Sequence, residues 1–78
     1  MQVHVKLFSR LQDHLPSEVR GEASIDLPEG ATIDQLLAQL GIDEHVKLLS
    51  VNSRRETNWE RMLHEGDRVR IFPIVVGG

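Results

Sequence analysis

The chain has no cysteine and no tyrosine among its 78 residues. Without cysteine it can form no disulfide, no thiolate zinc site, and no thioester or persulfide on a side chain. Any sulfur chemistry of this chain would therefore have to use its C-terminal carboxylate.

Long hydrophobic runs are also missing. No window approaches about 18 consecutive apolar residues, the length that a membrane-spanning helix needs. The first six residues lack the basic and apolar regions of a signal peptide. We therefore expect a cytoplasmic protein without a membrane partner.

Aromatic residues are few, with two Phe and one Trp, and the nine Lys and Arg residues are scattered along the sequence. The net charge is −3. Proteins that bind nucleic acids usually show a basic face with stacking aromatics. The composition therefore argues against a nucleic-acid partner.

Catalytic and metal-binding motifs are missing as well. No serine lies in a Gly-x-Ser-x-Gly motif, so a hydrolase mechanism has no support. The spacing of the histidines does not suggest a shared metal, and no cysteine joins them. These histidines are His4, His14, His45 and His64. We expect no metal site and no independent enzyme.

With 40% apolar and 27% charged residues, the composition is typical of one soluble globular domain. Apolar and polar residues alternate over 2–8 and over 23–27, which predicts two strands that we expect to pair antiparallel. The Pro-Glu-Gly sequence at 28–30 ends the second strand. Residues 9–22 are predicted to form a loop or a short helical turn around Leu11 and Leu15.

A helix is predicted between Thr32 and Gly41. Thr32 and Gln35 have the spacing of a capping box, and Gly41 can supply a left-handed C-cap. The apolar stripe predicted for its buried face comprises Ile33, Leu36, Leu37 and Leu40.

The last third of the chain predicts a strand through 48–51, a polar turn at 52–55, a short return, and a final strand after the Gly66-Asp67 turn. Asp67 is expected to shape that turn and not to act as an acid. We expect Trp59 to be partly buried in the core rather than to anchor a partner interface. This order of elements favours an α+β β-grasp fold, a mixed sheet of four to five strands with one main helix packed on one face.

The sequence ends in Gly77-Gly78, directly after the final strand. A backbone carboxylate without bulky side chains behind it can enter a narrow enzyme tunnel, although small residues are also common in frayed termini. We expect a domain over 1–73 and a flexible tail over 74–78.

Several motifs coincide along the chain, and together they resemble the ubiquitin-like sulfur-carrier family of the MoaD/ThiS type. The motifs are Val5-Lys6-Leu7-Phe8, Leu27-Pro28-Glu29-Gly30-Ala31-Thr32, Leu63-x-x-Gly66-Asp67-x-Val69-x-Ile71-Phe72-Pro73, and Gly77-Gly78. The family comprises the small subunit of molybdopterin synthase and the thiamin-pathway sulfur carrier. The length and the connection at 9–22 are more similar to the synthase subunit.

The resemblance implies a chemistry for the tail. An adenylyltransferase related to the ubiquitin-activating enzymes would adenylate Gly78 with ATP and magnesium, and sulfur from a persulfide donor would then replace AMP. The product would be a Gly78 thiocarboxylate. Gly77, which has no side chain, would keep the chain before it narrow. This chain itself would bind no cofactor. Val76 is bulkier than the small residue that relatives commonly have there, which leaves open which partner receives the tail.

The resemblance also implies partners. The tail would insert into the large subunit of molybdopterin synthase and give sulfur to a cyclic pterin phosphate, forming the dithiolene that holds molybdenum or tungsten. Alternatives are a carrier that serves another acceptor enzyme, for thiamin or a different sulfur-containing metabolite, and a ubiquitin-like protein modifier or binding module.

A partner surface is expected near the final strand. Phe72 should point away from the face that Val69 buries, and Phe8 should lie near it if the first and last strands are neighbours. An exposed aromatic pair would contact a partner, whereas a covered pair would cap the edge of the core. Arg68 and Arg70 would meet an acidic partner or be solvated. The candidate interface comprises Phe8, Arg70, Phe72, Pro73 and Ile74.

Overall fold

Five strands and one α-helix make up the described part of the computed structural model, residues 1–42 and 46–73. In chain order they are β1 (Gln2–Leu7), β2 (Glu22–Asp26), α1 (Ile33–Leu40), β3 (Val46–Val51), β4 (Arg54–Arg55) and β5 (Arg68–Pro73). The bounds of β1, β2 and α1 agree with the predictions to within one residue.

The strands form one mixed sheet in the order β2-β1-β5-β3-β4. β1 and β5 are parallel neighbours at its centre, and the other pairs are antiparallel. This sheet, with one main helix on one face, is the predicted β-grasp arrangement. The fold prediction is confirmed, including the antiparallel pairing of the first two strands.

The capping box predicted for α1 is present. Thr32 Oγ1 accepts a hydrogen bond from the Gln35 backbone N–H at 3.3 Å, and Gln35 Oε1 accepts one from the Thr32 N–H at 2.8 Å. Gly41 closes the helix with φ 77°, a left-handed conformation that glycine adopts without steric cost. The four residues of the apolar stripe are buried.

The connection between β1 and β2 consists of two short 3₁₀ helices, Ser9–His14 and Ser17–Val19. This agrees with the predicted helical turn. Leu11 is fully buried, and Leu15 packs against the core while remaining partly exposed.

The polar turn predicted at 52–55 is narrower than expected. Only Asn52 and Ser53 form it, both with positive φ (52° and 70°), whereas Arg54 and Arg55 already pair with β3. Two-residue turns with positive φ match the right-handed twist of a hairpin, so pairing resumes at once.

The connection from β4 to β5 crosses the start of the helix. The Asp34 N–H donates to the Trp59 carbonyl at 2.9 Å, and the Ile33 N–H donates to the Arg61 carbonyl at 3.1 Å. These bonds satisfy donors that a helix N-terminus leaves unpaired. Trp59 is partly buried against the core, as predicted.

The core lies between α1 and one face of the sheet. The buried apolar residues that the strands contribute to it are Val3, Val5, Leu7, Leu49, Val51, Val69 and Ile71. The alternate residues of the same strands lie on the opposite face, which we call the open face. No helix in the part of the chain that the structure describes is long and apolar enough to cross a membrane.

Candidate functional site

Two aromatic rings stack on the open face of the sheet. The ring centroids of Phe8 and Phe72 lie 4.1 Å apart with an interplanar angle of 12°. Parallel pairing of β1 and β5 brings them together, and the Phe8 N–H donates to the Ile71 carbonyl at 3.1 Å. Both side chains are half-buried. The predicted neighbourhood of the two rings is confirmed, and their contact with a partner stays a prediction.

Two further side chains, those of Leu48 and Lys6, lie next to the stacked rings on the open face. Leu48 of β3 is the register partner of Phe72 and is half-buried. Lys6 Nζ lies 5.1 Å from the centroid of the Phe8 ring, within the range of a cation–π interaction. We call Phe8, Leu48 and Phe72 the apolar patch.

Next to the apolar patch, the register aligns one residue from each of the five strands across the open face. In sheet order this row is Glu22, Lys6, Arg70, Ser50 and Arg55. Arg68 lies two residues before Arg70 on β5, opposite His4 of β1. Four of the nine basic residues that are scattered in the sequence are therefore gathered here. We call Lys6, Arg55, Arg68 and Arg70 the cationic cluster.

An open cleft of about 470 Å³ lies at one end of this cluster, lined by residues of β1, β2 and β5 that include His4, Lys6, Glu22 and Arg68. His4 Nε2 and Glu22 Oε1 are 3.0 Å apart. This hydrogen bond lowers the pKa of Glu22 below its ordinary value of 4.5, and the nearby charges of Lys6, His4 and Arg70 act in the same direction.

The sequence predicts Arg70 as a residue of the candidate interface but does not predict the cluster. A signal was present, because Lys6, Arg68 and Arg70 all occupy strand positions that alternate with buried residues. Alternation assigns each of them to the open face. It does not indicate which strands become neighbours.

Asp67 shapes the turn before β5, as predicted. Its carboxylate accepts hydrogen bonds from the His64 N–H at 2.8 Å and from Asn52 Nδ2 at 2.9 Å. Among the described residues, no group of three or more His, Asp or Glu is arranged to hold a metal. His45 lies outside the described residues.

Two further residues of the candidate interface follow Phe72. Pro73 is buried where β5 pairs with Val46, so it offers little surface to a partner. Ile74 lies outside the described residues, as do Val76, Gly77 and Gly78. The boundary at 73, the flexible tail and the role of Gly78 remain predictions.

A family model described as the ThiS family matches residues 5–78. A protein from Pyrococcus furiosus, provisionally assigned as molybdopterin converting factor subunit 1, is 30% identical with a TM-score of 0.74. That alignment covers 96% of this chain and 99% of the other. Among the curated proteins, none matches significantly.

Two more distant structures share the fold. Small archaeal modifier protein 1 of Haloferax volcanii is 23% identical over 100% of both chains, with a TM-score of 0.71. A chain from the complex of subunits 1 and 2 of the molybdopterin-converting factor of Helicobacter pylori is 21% identical, with 100% of both chains covered and a TM-score of 0.66. At these identities the likeness supports the fold alone. The match over residues 5–78 and the 30% identical relative show that this chain belongs to the ThiS family of ubiquitin-like sulfur carriers of the MoaD/ThiS type.

Proposed function

We propose that this chain carries sulfur as a thiocarboxylate on Gly78 and donates it in molybdopterin biosynthesis, as the small subunit of molybdopterin synthase. The observation that carries the proposal is the family match, which runs to Gly78 and includes the closing diglycine. The 30% identical relative assigned as a molybdopterin converting factor subunit supports this pathway.

In the proposed cycle, an adenylyltransferase of the ubiquitin-activating type binds ATP and magnesium. A Gly78 carboxylate oxygen attacks the α-phosphorus of ATP, and pyrophosphate leaves. The terminal sulfur of a persulfide donor then attacks the acyl carbon, and AMP leaves with the bonding electron pair. A second thiol cleaves the resulting acyl disulfide, which gives the thiocarboxylate and a disulfide between donor and thiol.

The role of this chain is to present the tail. β5 pairs with β1 up to Ile71 and with β3 up to Pro73, so the tail begins at a fixed point of the sheet. The apolar patch lies beside that point, with Phe72 one residue before Pro73. We propose that partner enzymes contact this patch while they bind the tail. The catalytic side chains would belong to those partners, because this chain has no cysteine thiol that could carry sulfur.

Transfer of sulfur from a preformed thiocarboxylate tests the pathway. A chain prepared with the thiocarboxylate at Gly78 by intein cleavage is mixed with the large synthase subunit and the cyclic pterin phosphate. We expect dithiolene formation and return of Gly78 to a carboxylate. A thiocarboxylate that persists here, but is consumed by a thiamin-pathway acceptor, would overturn the assignment to molybdopterin.

A protein modifier is the second candidate, since small archaeal modifier protein 1 shares the fold. A modifier would form isopeptide bonds from Gly78 to lysines of other proteins. Mass spectrometry of tryptic digests from cells that express the chain would reveal such adducts, whereas a dedicated carrier yields none.

A further inference from the structure

Part of the positive charge of this chain is gathered on one face. Four of its nine Lys and Arg residues lie in the cationic cluster, although the whole chain has a net charge of −3. The carboxylates that β2 adds to the open face, Glu22 and Asp26, lie at the edge of the sheet. The open face is therefore positive where the rest of the molecule is negative.

The cluster is regular as well as positive. Lys6 and Arg70 are register partners on adjacent strands, and Ser50 separates Arg70 from Arg55. Neighbouring strands lie about 4.8 Å apart, so the row from Lys6 to Arg55 spans roughly 15 Å. Carboxylates on one face of a helix are about 5 to 6 Å apart, which is similar to the distance between neighbouring strands.

The cluster is only partly neutralised from within, by Glu22, which lies close enough to Lys6 and Arg70 for their charges to lower its pKa. Among the described residues, none of its four side chains forms an ion pair. Glu22 is hydrogen-bonded to His4 at the edge of the row. Like charges on adjacent strands repel one another, and carboxylates supplied by a partner would remove that repulsion.

We propose that the open face of the sheet docks an acidic protein segment. Its carboxylates pair with Lys6, Arg70 and Arg55, and an apolar side chain of the same segment packs against the apolar patch. The inference rests on the proposed function in one respect, since it assigns the segment to an enzyme that binds the tail. Phe72 and Arg70 lie on the strand that leads into the tail, so one partner can contact both.

The geometry favours an acidic protein over a nucleic acid. Single-stranded nucleic acids stack their bases on exposed aromatic faces. Phe8 and Phe72 instead stack on each other, and Lys6 lies over the Phe8 ring. An apolar side chain can pack beside this pair without separating the rings.

Single charge reversals test the proposal. Arg70→Glu and Arg55→Glu each place a carboxylate in the row. Arg54→Glu is the matched control, because Arg54 pairs with Val51 and lies on the opposite face of the same strand as Arg55. All three variants change the charge equally, and circular dichroism verifies the fold of each.

Binding of each full-length variant to the adenylyltransferase and to the large synthase subunit is measured by calorimetry at low and high salt. We expect Arg70→Glu and Arg55→Glu to weaken binding to at least one enzyme by about tenfold. Arg54→Glu should change the Kd by less than about twofold, and high salt should weaken the wild-type complex.

Unchanged Kd values for Arg70→Glu and Arg55→Glu in every complex that the wild type forms with these enzymes would overturn this inference and leave the proposed function intact. Displacement of the enzymes by a single-stranded oligonucleotide, with shifted NMR signals on the open face, would also contradict it. A wild-type chain that binds neither enzyme would overturn the proposed function and this inference together.

Discussion

Asn52 and Asp67 join the β3–β4 turn to the start of β5. Asn52 Nδ2 donates to Asp67 Oδ1 at 2.9 Å, and Asn52 Oδ1 accepts from the Arg68 N–H at 2.9 Å. Asp67 is only 7% exposed, and its second oxygen accepts from the His64 N–H. The carboxylate therefore fixes the strand that carries Arg68, Arg70 and Phe72.

We predict that Asp67→Ala destabilises the fold by about 2 to 3 kcal/mol, because it leaves partly buried donors without an acceptor. Urea unfolding followed by circular dichroism measures the change. Asp26→Ala, which removes an exposed carboxylate, should change the unfolding free energy by less than about 0.5 kcal/mol. Equal effects of the two substitutions would show that the Asp67 hydrogen bonds do not stabilise the fold.

Substitutions at Gly21 and Gly30 distinguish two costs of replacing a glycine, which are backbone strain at positive φ and steric clash of the added Cβ. Both have positive φ, 79° and 81°. A Cβ at Gly21 would lie 2.7 Å from the Leu7 carbonyl oxygen, whereas at Gly30 it would meet nothing within 4 Å. We predict a loss of about 1 kcal/mol for Gly30→Ala and a larger loss, about 2 to 4 kcal/mol, for Gly21→Ala. Thermal unfolding of both variants measures the difference, and equal losses would contradict the close approach at Gly21.

The Phe8 and Phe72 rings should be energetically coupled. We predict that a double-mutant cycle with Phe8→Leu and Phe72→Leu gives a coupling energy of about 0.5 to 1.5 kcal/mol in unfolding experiments. Additive effects of the two substitutions would show that the rings do not stabilise each other.

The stability of the fold should depend on pH through the ionisation of Glu22. Its pKa is lowered below 4.5, first by the hydrogen bond with His4 and then by the charges of Lys6, His4 and Arg70. A lowered folded-state pKa means that the ionised form stabilises the fold above the unfolded-state pKa. That contribution is lost as pH falls through the folded-state pKa.

NMR titration of the Glu22 side-chain carbon measures this pKa directly. We predict a midpoint below 4.5 in the wild type and a higher midpoint in His4→Ala, because the largest cause is removed. An unchanged midpoint in His4→Ala would show that the hydrogen bond does not lower the pKa.

Local sequence signals were sufficient for α1. Thr32, Gln35 and Gly41 determine both of its ends, and its apolar stripe determines the buried face. Each of these signals involves residues within one or two turns of each other, so no tertiary information was needed.

The cationic cluster could not be predicted in the same way. Lys6 and Arg70 are distant in sequence, and they become neighbours only because β1 and β5 pair in parallel at the centre of the sheet. Strand alternation gives the face of each residue but not the register between strands. The turn predicted at 52–55 is broader than the observed turn at Asn52 and Ser53 for a related reason, since the sequence does not show where pairing with β3 resumes.

Intact-protein mass spectrometry tests most directly whether Gly78 is converted to a thiocarboxylate. The untagged chain is incubated with a sulfur-carrier adenylyltransferase, ATP, magnesium and a persulfide donor, alongside a folded variant that lacks Gly78. We predict that one oxygen is replaced by one sulfur in the wild type and that the mass of the variant stays unchanged. A wild-type chain that keeps its mass with an enzyme active on its own carrier, or a variant that gains sulfur equally, would contradict the account.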